Sequence, residues 1–282
     1  MMKKTIVTLF AVLAVVFTVN QNLFAGGSKD NSAGAAAAPA PAGKQTLVVG
    51  ATPVPHAELL NLVKADLAAQ GIDLRVIEFT DYVTPNVALL AGDLDANFFQ
   101  HIPYLNSNAE WTEKLISAFG VHIEPFGIYS RSLKSIADLK DGATIAIPND
   151  PSNGGRALLL LQSNKIITLR AGVGLEATVR DITGNPKNLK FRELEAAQLP
   201  RSLQDVDAAA INGNYALEAG FNPTRDALII EGADSPYVNI VVVRKGGEND
   251  AKIKALSAAL RSAKIKDYIA GKWTDGSVVA IF

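Results

Sequence analysis

Residues 141–162 read Asp141-Gly142-Ala143-Thr-Ile-Ala-Ile147-Pro148-Asn149-Asp150-Pro151-Ser152-Asn153-Gly154-Gly155-Arg156-Ala-Leu-Leu-Leu-Leu-Gln162. An Asp-Gly turn opens an apolar run, Ala143 to Ile147, with the length and composition of a buried strand. A Pro/Asn/Gly turn stops it, and a helix begins with Arg156 in its first turn and runs to Gln162. A buried strand passing through a tight turn into a helix is the repeating unit of an α/β protein.

The same unit recurs outward in both directions. Upstream, Leu47-Val48-Val49 is a strand closed by Gly50 and Pro53. His56 to Gln70 follows with leucines and valines near a 3.6 period and Gly71 as its stop. Leu74 to Phe79 is the next strand. Downstream, Asp207 to Ile211 and Tyr237 to Val243 are strands, and Ala251 to Lys266 carries Ile253, Leu256, Leu260 and Ile265 on one helical face. This alternation predicts an α/β fold with largely parallel sheets and no internal repeat. About 240 folded residues in several such units suggest two lobes, with a binding crevice beyond the carboxyl ends of the strands.

The N-terminal region reads as an address. Lys3 and Lys4 precede an apolar run from Leu9 to Phe17, too short to span a bilayer, and Leu23-Phe24-Ala25-Gly26 is a small-residue cleavage site. Residues 1–25 are thus expected to be a signal peptide and the protein to be exported. Residues 26–45, rich in Ala, Pro and Gly, are expected to be a flexible tether. The chain carries 27 Lys and Arg against 28 Asp and Glu with no basic stripe, which argues against nucleic-acid binding. Zero cysteines exclude disulfides, thiolate metal sites and a cysteine nucleophile.

Enzyme motifs are missing: there is no nucleophile elbow, Walker A loop or His-Glu-x-x-His. His56, His101 and His122 are widely spaced and form no metal-ligand motif. Gly172-Val-Gly174-Leu-Glu-Ala177 mimics a dinucleotide fingerprint without a strand leading into it, and Asp93 and Asp95 sit in a polar turn. No enzyme, cofactor or metal centre is therefore expected.

Three other places carry binding chemistry. A cation in the first turn of a helix opposes the helix dipole, so Arg156 makes sense where an anion completes it; the alternative is an internal Asp or Glu partner. Asn212 and Asn214 follow the apolar strand Ala208 to Ile211, and Asn239 lies inside an apolar strand. Such amides serve a ligand's head group, or else cap turns and pair with backbone. Tyr82, Phe99, His101 and Tyr104 form an aromatic cluster that either packs a core or walls a pocket, where ring edges suit a thioether.

With these residues in place, the sequence resembles the NlpA-type methionine-binding lipoproteins of ABC importers. The likeness runs from about Thr46 to the C-terminus through seven ordered segments. They are Asp81-Tyr82-Val-Thr-Pro-Asn86, Asp95 to Leu105, Pro148 to Leu158, Asn185 to Leu189, Leu194 to Leu203, Ile211 to Ala216, and Ser235 to Asn239. The resemblance implies a two-lobe periplasmic-binding-protein fold of type II. Residues 46–127 and 237–282 would form one lobe and 128–236 the other, with crossings near Gly127-Ile-Tyr129 and Asp234-Ser-Pro-Tyr237. Carried over residue by residue, Arg156 would hold the ligand carboxylate, Asn212 and Asn239 would bind the head group, and Tyr82, Phe99, His101 and Tyr104 would wall the side-chain pocket. Methionine would be the cargo, delivered to a membrane permease driven by a cytoplasmic ATPase. D-methionine, a methionine dipeptide and another apolar amino acid are the alternative cargoes, and an envelope interaction protein is the alternative class. The departure from the family is Gly27, which stands where a lipid-bearing cysteine belongs. An envelope location is expected, without a visible site for the lipid.

Overall fold

The computed structural model of the protein describes residues 45–232 and 235–282. The expected signal peptide, all of the expected tether but Gln45, and Asp234 at the second expected crossing lie outside the described residues.

The chain opens with β1 (Gln45–Ala51), the helix α1 (Glu58–Ala68) and β2 (Ile72–Glu78). Next come α2 (Thr84–Ala91), β3 (Ala96–His101), α3 (Ile102–Asn106), α4 (Ala109–Lys114) and β4 (Leu115–Ile123). β1 lies parallel between β2 and β3, as strand–helix–strand units require. Leu59, Leu60, Val63 and Leu67 turn one face of α1 onto Leu47, Val49 and Ala51. The opposite face of the sheet packs Leu89, Leu94, Phe99, Tyr104 and Trp111.

After β4 the chain leaves for a second sheet. β5 (Gly127–Tyr129) and β6 (Thr144–Pro148) lead into α5 (Pro151–Ser163). The short strands β7 (Thr168–Leu169) and β8 (Ile182–Gly184) form a small hairpin. β9 (Lys190–Leu194), α6 (Leu199–Ser202), β10 (Ala208–Ile211), α7 (Gly213–Glu218), α8 (Pro223–Asp226) and β11 (Ile229–Ile230) complete this half. The strand order is β11-β5-β10-β6-β9. Ile145, Ile147, Ala208 and Ala210 face one core, while Ala146, Ala209 and Ile211 face another. Both faces are covered, so these strands are apolar without polar alternation.

The chain then returns to the first sheet as β12 (Val238–Arg244), followed by α9 (Ala251–Leu260), α10 (Ala263–Lys272) and β13 (Val279–Ala280). The order there is β13-β4-β12-β3-β1-β2. β12 runs antiparallel to both β3 and β4. Both sheets are therefore mixed: parallel through the strand–helix units, antiparallel where β12 and β13 join the first sheet and where β5 pairs in the second.

Three local expectations change. Gly127–Tyr129, expected at the first crossing, is already paired with Ile211 and Ile230 in the second sheet, and the chain changes sheets over Glu124–Phe126. The helix after Ile147 starts at Pro151, capped by Asp150, whose Oδ1 accepts from the Asn153 N–H at 2.8 Å. Arg156 thus sits in the second turn, and the dipole argument for it does not apply. The C-terminal helical stretch is two helices, because Ser262 takes extended backbone angles before α10.

Candidate functional site

All seven residues singled out from the sequence line one cavity of about 340 Å³, counted to its opening. Gln100, Glu124, Asn153, Gly213 and Asn214 complete the lining.

One wall comes from the first sheet. β3 carries an extra residue, Phe99, opposite Ile240 and Val241. This bulge re-aims the strand end, so that Phe99, Tyr82 and Tyr104 pack together at ring-centroid distances of 5.8–6.0 Å. Phe99 and His101 thus belong to the strand itself, and Tyr104 to the helix that follows. His101 caps α3: its Nδ1 accepts from the Tyr104 N–H at 3.2 Å. Nε2 must then carry the proton, and it donates to Asn153 Oδ1 at 3.3 Å. Behind this strand, Asn86, Asn97 and Gln100 satisfy one another with four amide hydrogen bonds of 2.7–3.1 Å.

Asn239 stands between two histidine positions, paired across β12 with His101 on β3 and with His122 on β4. Its Oδ1 lies 3.1 Å from His56 Nε2, and His56 Nδ1 is 2.8 Å from Thr52 Oγ1. With its oxygen held from behind, the Asn239 amide keeps its N–H groups for the cavity.

The other wall comes from the second sheet, where two strands run straight into helices. β6 leads to α5, which carries Asn153 and Arg156, and β10 leads to α7, which carries Asn212 at its N-cap. The Asn212 side chain makes no cap bond. Its Nδ2 donates to Asn153 Oδ1 at 2.8 Å, and its buried Oδ1 has no partner among the described residues. An unpartnered buried acceptor is costly, which marks it as a place for a donor from a ligand.

Arg156 is 4% exposed and held from several directions. Its Nε donates to Glu231 Oε1 at 2.7 Å and its Nη2 to Glu231 Oε2 at 2.5 Å, while Nη2 also reaches the Glu124 carbonyl at 3.2 Å. Its guanidinium lies 3.9 Å from the Tyr237 ring centroid and 4.9 Å from that of Phe126. The internal carboxylate partner weighed against an anionic ligand is therefore present. It occupies Nε and Nη2 and leaves Nη1 with no partner among the described residues.

Sequence spacing missed a second cluster. His56, His122 and Glu124 present ligand atoms within 4.8 Å of one another, all buried. His122 Nε2 lies 2.7 Å from Glu124 Oε1, and His56 Nε2 lies 3.4 Å from the same oxygen. These donors would suit a divalent metal, but Thr52, Asn239 and Glu124 already serve the His56 nitrogens as hydrogen-bond partners. Burial lowers the pKa of His56 to about 4 and of His101 and His122 to about 3, and it raises that of Glu124. Glu124 was overlooked because it lies in a crossing segment with no periodicity. Gly213 is its necessary neighbour, since a Cβ there would lie 2.6 Å from Glu124 Cβ.

The halves also meet over the cavity. Tyr82 OH donates to Asn214 Oδ1 at 2.5 Å, and Tyr215 OH donates to Thr80 O at 3.0 Å. The two remaining motif-like segments have structural roles. Asp95 Oδ2 accepts from the Val48 N–H at 2.7 Å, tying the Gly92–Asp95 turn to β1. The Gly172–Ala177 stretch covers α5, where a Cβ on Gly155 would lie 2.1 Å from Leu175 O.

Residues 47–282 match the family model described as NlpA lipoprotein. The methionine-binding lipoprotein MetQ of Bacillus subtilis is 45% identical over 86% of this chain and 90% of its own. The structure of a nutrient-binding protein from Burkholderia cenocepacia bound to methionine is 48% identical, with a TM-score of 0.80, over 84% of this chain and all of that one. A periplasmic substrate-binding protein of an ABC transporter from Coxiella burnetii is 44% identical, with a TM-score of 0.78, over 83% of this chain and all of that one. The fold is thus the two-lobe periplasmic-binding architecture, and the chain belongs to the NlpA lipoprotein family.

Proposed function

We propose that the protein is the extracytoplasmic substrate-binding component of an ABC importer and that it takes methionine in the cavity between its two sheets. The observation that carries this reading is the convergence of all seven candidate residues on one cavity that joins a cation, two amides and an aromatic wall. Arg156 meets the ligand carboxylate through its remaining N–H groups, assisted by the Asn239 amide. The Asn212 oxygen meets the α-ammonium. Tyr82, Phe99, His101 and Tyr104 surround the side chain, where each ring edge contributes about 0.3–1.5 kcal/mol with a thioether sulfur. Residues 45–123 with 238–282 act as one lobe and 127–230 as the other. Ligand bridging the lobes adds to the contacts of Tyr82 and Tyr215, and the closed form is what a membrane permease and its ATPase receive. The protein works as a carrier rather than an enzyme, exported and held at the cell envelope.

Calorimetric titration tests this. The protein is unfolded and refolded to strip carried-over ligand, then titrated with L-methionine, D-methionine, glycyl-methionine, leucine and glutamine. The expected result is tight binding of L-methionine and at least tenfold weaker binding of the others, a margin of about 1.4 kcal/mol. Preference for another compound keeps the clamp and replaces its cargo; a folded protein that binds none of the five refutes the reading.

A further inference from the structure

Arg156 has a carboxylate partner, yet that partner is Glu231 and not the carboxylate that lines the cavity. Among the described residues lining the cavity, Glu124 is the only acid. It is 5% exposed and enters from the first crossing, beside both walls. Its Oε1 accepts from His122 Nε2 at 2.7 Å, with His56 Nε2 at 3.4 Å. Its Oε2 lies on the other side, 3.0 Å from where a Cβ on Gly213 would sit. Arg156 touches this residue only at the backbone, through Nη2 to the carbonyl oxygen at 3.2 Å. The cavity therefore presents a guanidinium and a carboxyl, each held in place by neighbours, that are close but not paired with each other. Such an arrangement complements a zwitterion, whose opposite charges are also close and unpaired. The unpartnered Asn212 Oδ1 belongs to the same lining and is likewise an acceptor.

We propose that Glu124, positioned by His56 and His122, is the counter-charge for the ligand's α-ammonium, and that it makes a free amino group a condition of binding. This rests on the amino-acid reading given above and deepens it. The head group then divides cleanly: donors from Arg156 and Asn239 for the carboxylate, acceptors from Glu124 and Asn212 for the ammonium. His56 serves both sides, since its Nε2 faces Asn239 Oδ1 and Glu124 Oε1 together. It is a positioning residue, as is His122.

Proton traffic follows from the burial. Desolvation raises the Glu124 pKa, while His56, Arg156 and the Asn214 backbone N–H oppose the rise. His122, Glu218 and Tyr82 are the other titratable groups coupled to it. An arriving ammonium adds a positive charge and lowers the Glu124 pKa, so binding releases protons wherever this carboxyl is partly protonated in the free protein.

The test compares L-methionine with 4-(methylthio)butanoate, which keeps the carboxylate and thioether and lacks the amino group. Titrated calorimetrically, the wild-type protein should prefer methionine by about 100-fold or more, because a site built for an N–H rejects the analogue without it. In Glu124→Gln the preference should shrink to about tenfold or less, through weaker methionine binding and unchanged or tighter binding of the analogue. Equal losses for both ligands, or an unchanged preference, overturn the proposal. Where Glu124→Gln fails to fold, the wild type decides. Across the acidic range in which the Glu124 carboxyl titrates, methionine binding should release more protons than analogue binding, read from enthalpies in buffers of different ionisation heat. Equal proton counts overturn it. A folded wild type that binds neither compound removes the amino-acid reading as well, and so separates the two failures.

Discussion

The two walls of the cavity are built by different means. The second-sheet wall is local: Asp150, Asn153 and Arg156 lie within seven residues, and Asn212 and Asn214 within three. Each group follows a parallel strand into the first two turns of a helix, so one short segment carries it. The first-sheet wall is assembled from far apart. His56, His101, His122 and Asn239 come from separate segments and meet only because β12 inserts antiparallel between β3 and β4. The local wall supplies a cation and a free acceptor; the assembled wall supplies rings, neutral imidazoles and an amide oriented from behind. Precision on the first wall depends on sheet register, and on the second wall on helix capping.

The largest effect should come from Arg156, on which the local wall and both crossings converge. Arg156→Ala leaves the Glu231 carboxylate, 13% exposed, without its cation and the Glu124 carbonyl without its donor. Breaking a buried pair in this way costs about 3–5 kcal/mol of stability. Loss of the charge-assisted contact should also lower methionine affinity by about 100-fold or more, roughly 2.7 kcal/mol. Thermal unfolding and calorimetric titration read the two losses separately. Unchanged methionine affinity in a folded Arg156→Ala protein would show that the carboxylate is gripped elsewhere.

A sharper division of the walls comes from their two asparagines. Asn239→Ala removes the partner of His56 Nε2 and should cost about 1–3 kcal/mol of stability along with affinity. Asn212→Ala gives up one amide bond to Asn153 but also removes the unpartnered Oδ1, so its stability should stay within about 1 kcal/mol of wild type. Both variants should bind methionine at least tenfold more weakly, about 1.4 kcal/mol. If Asn212→Ala destabilises the ligand-free protein as much as Asn239→Ala does, the contrast between a register-held and a ligand-facing amide fails.

Smaller changes should follow at the contacts joining the walls. Tyr82→Phe frees Asn214 Oδ1, and Tyr215→Phe frees Thr80 O. Each loses a hydrogen bond worth about 0.5–1.5 kcal/mol. Since these bonds span the cleft, most of the loss should appear as faster methionine dissociation, up to about tenfold in stopped-flow measurements, with little change in association. An equal change in both rates would show that these two hydrogen bonds do not act in closure.

The difference between the walls also explains what was legible in the sequence. The segment from Ala143 to Gln162 announced strand, turn and helix, because local periodicity and turn chemistry decide them. Arg156 and Asn212 stood out there as polar residues just beyond apolar strands. The helix start was misplaced by one turn, since Asp150 and Pro151 outweigh the two glycines that follow. The antiparallel entry of β12 carries no local signal, so the sheets read as largely parallel. For the same reason three histidines in separate segments read as unrelated, and Glu124 passed unnoticed. Two of those histidines and Glu124 share one hydrogen-bonded cluster, which only the pairing of distant strands creates.

The last effect is a slope with pH rather than an offset, and it separates the walls most directly, because all three histidines belong to the first. In the folded protein burial holds His56 near a pKa of about 4 and His101 and His122 near about 3. Between those values and the ordinary 6.5 of an unfolded chain, the unfolded state binds more protons, so each histidine removes stability as the pH falls through this window. The slope is at most about 1.4 kcal/mol per pH unit for each. Glu218, raised to about 7, acts in the opposite direction, as do Glu124 and Asp150, whose carboxyls burial also raises. The folded state keeps protons on these groups that the unfolded state has released, so they add stability as the pH falls. The wild-type profile should therefore be shallow, and a single substitution should tilt it. His101→Gln removes one destabilising imidazole and no carboxyl. Whatever it costs at neutral pH through the lost Asn153 contact, its stability relative to wild type should improve by about 1 kcal/mol per pH unit below 6.5. Urea unfolding of the two proteins across that range measures the difference, and a constant offset would show that His101 ionises as freely in the folded protein as in the unfolded chain.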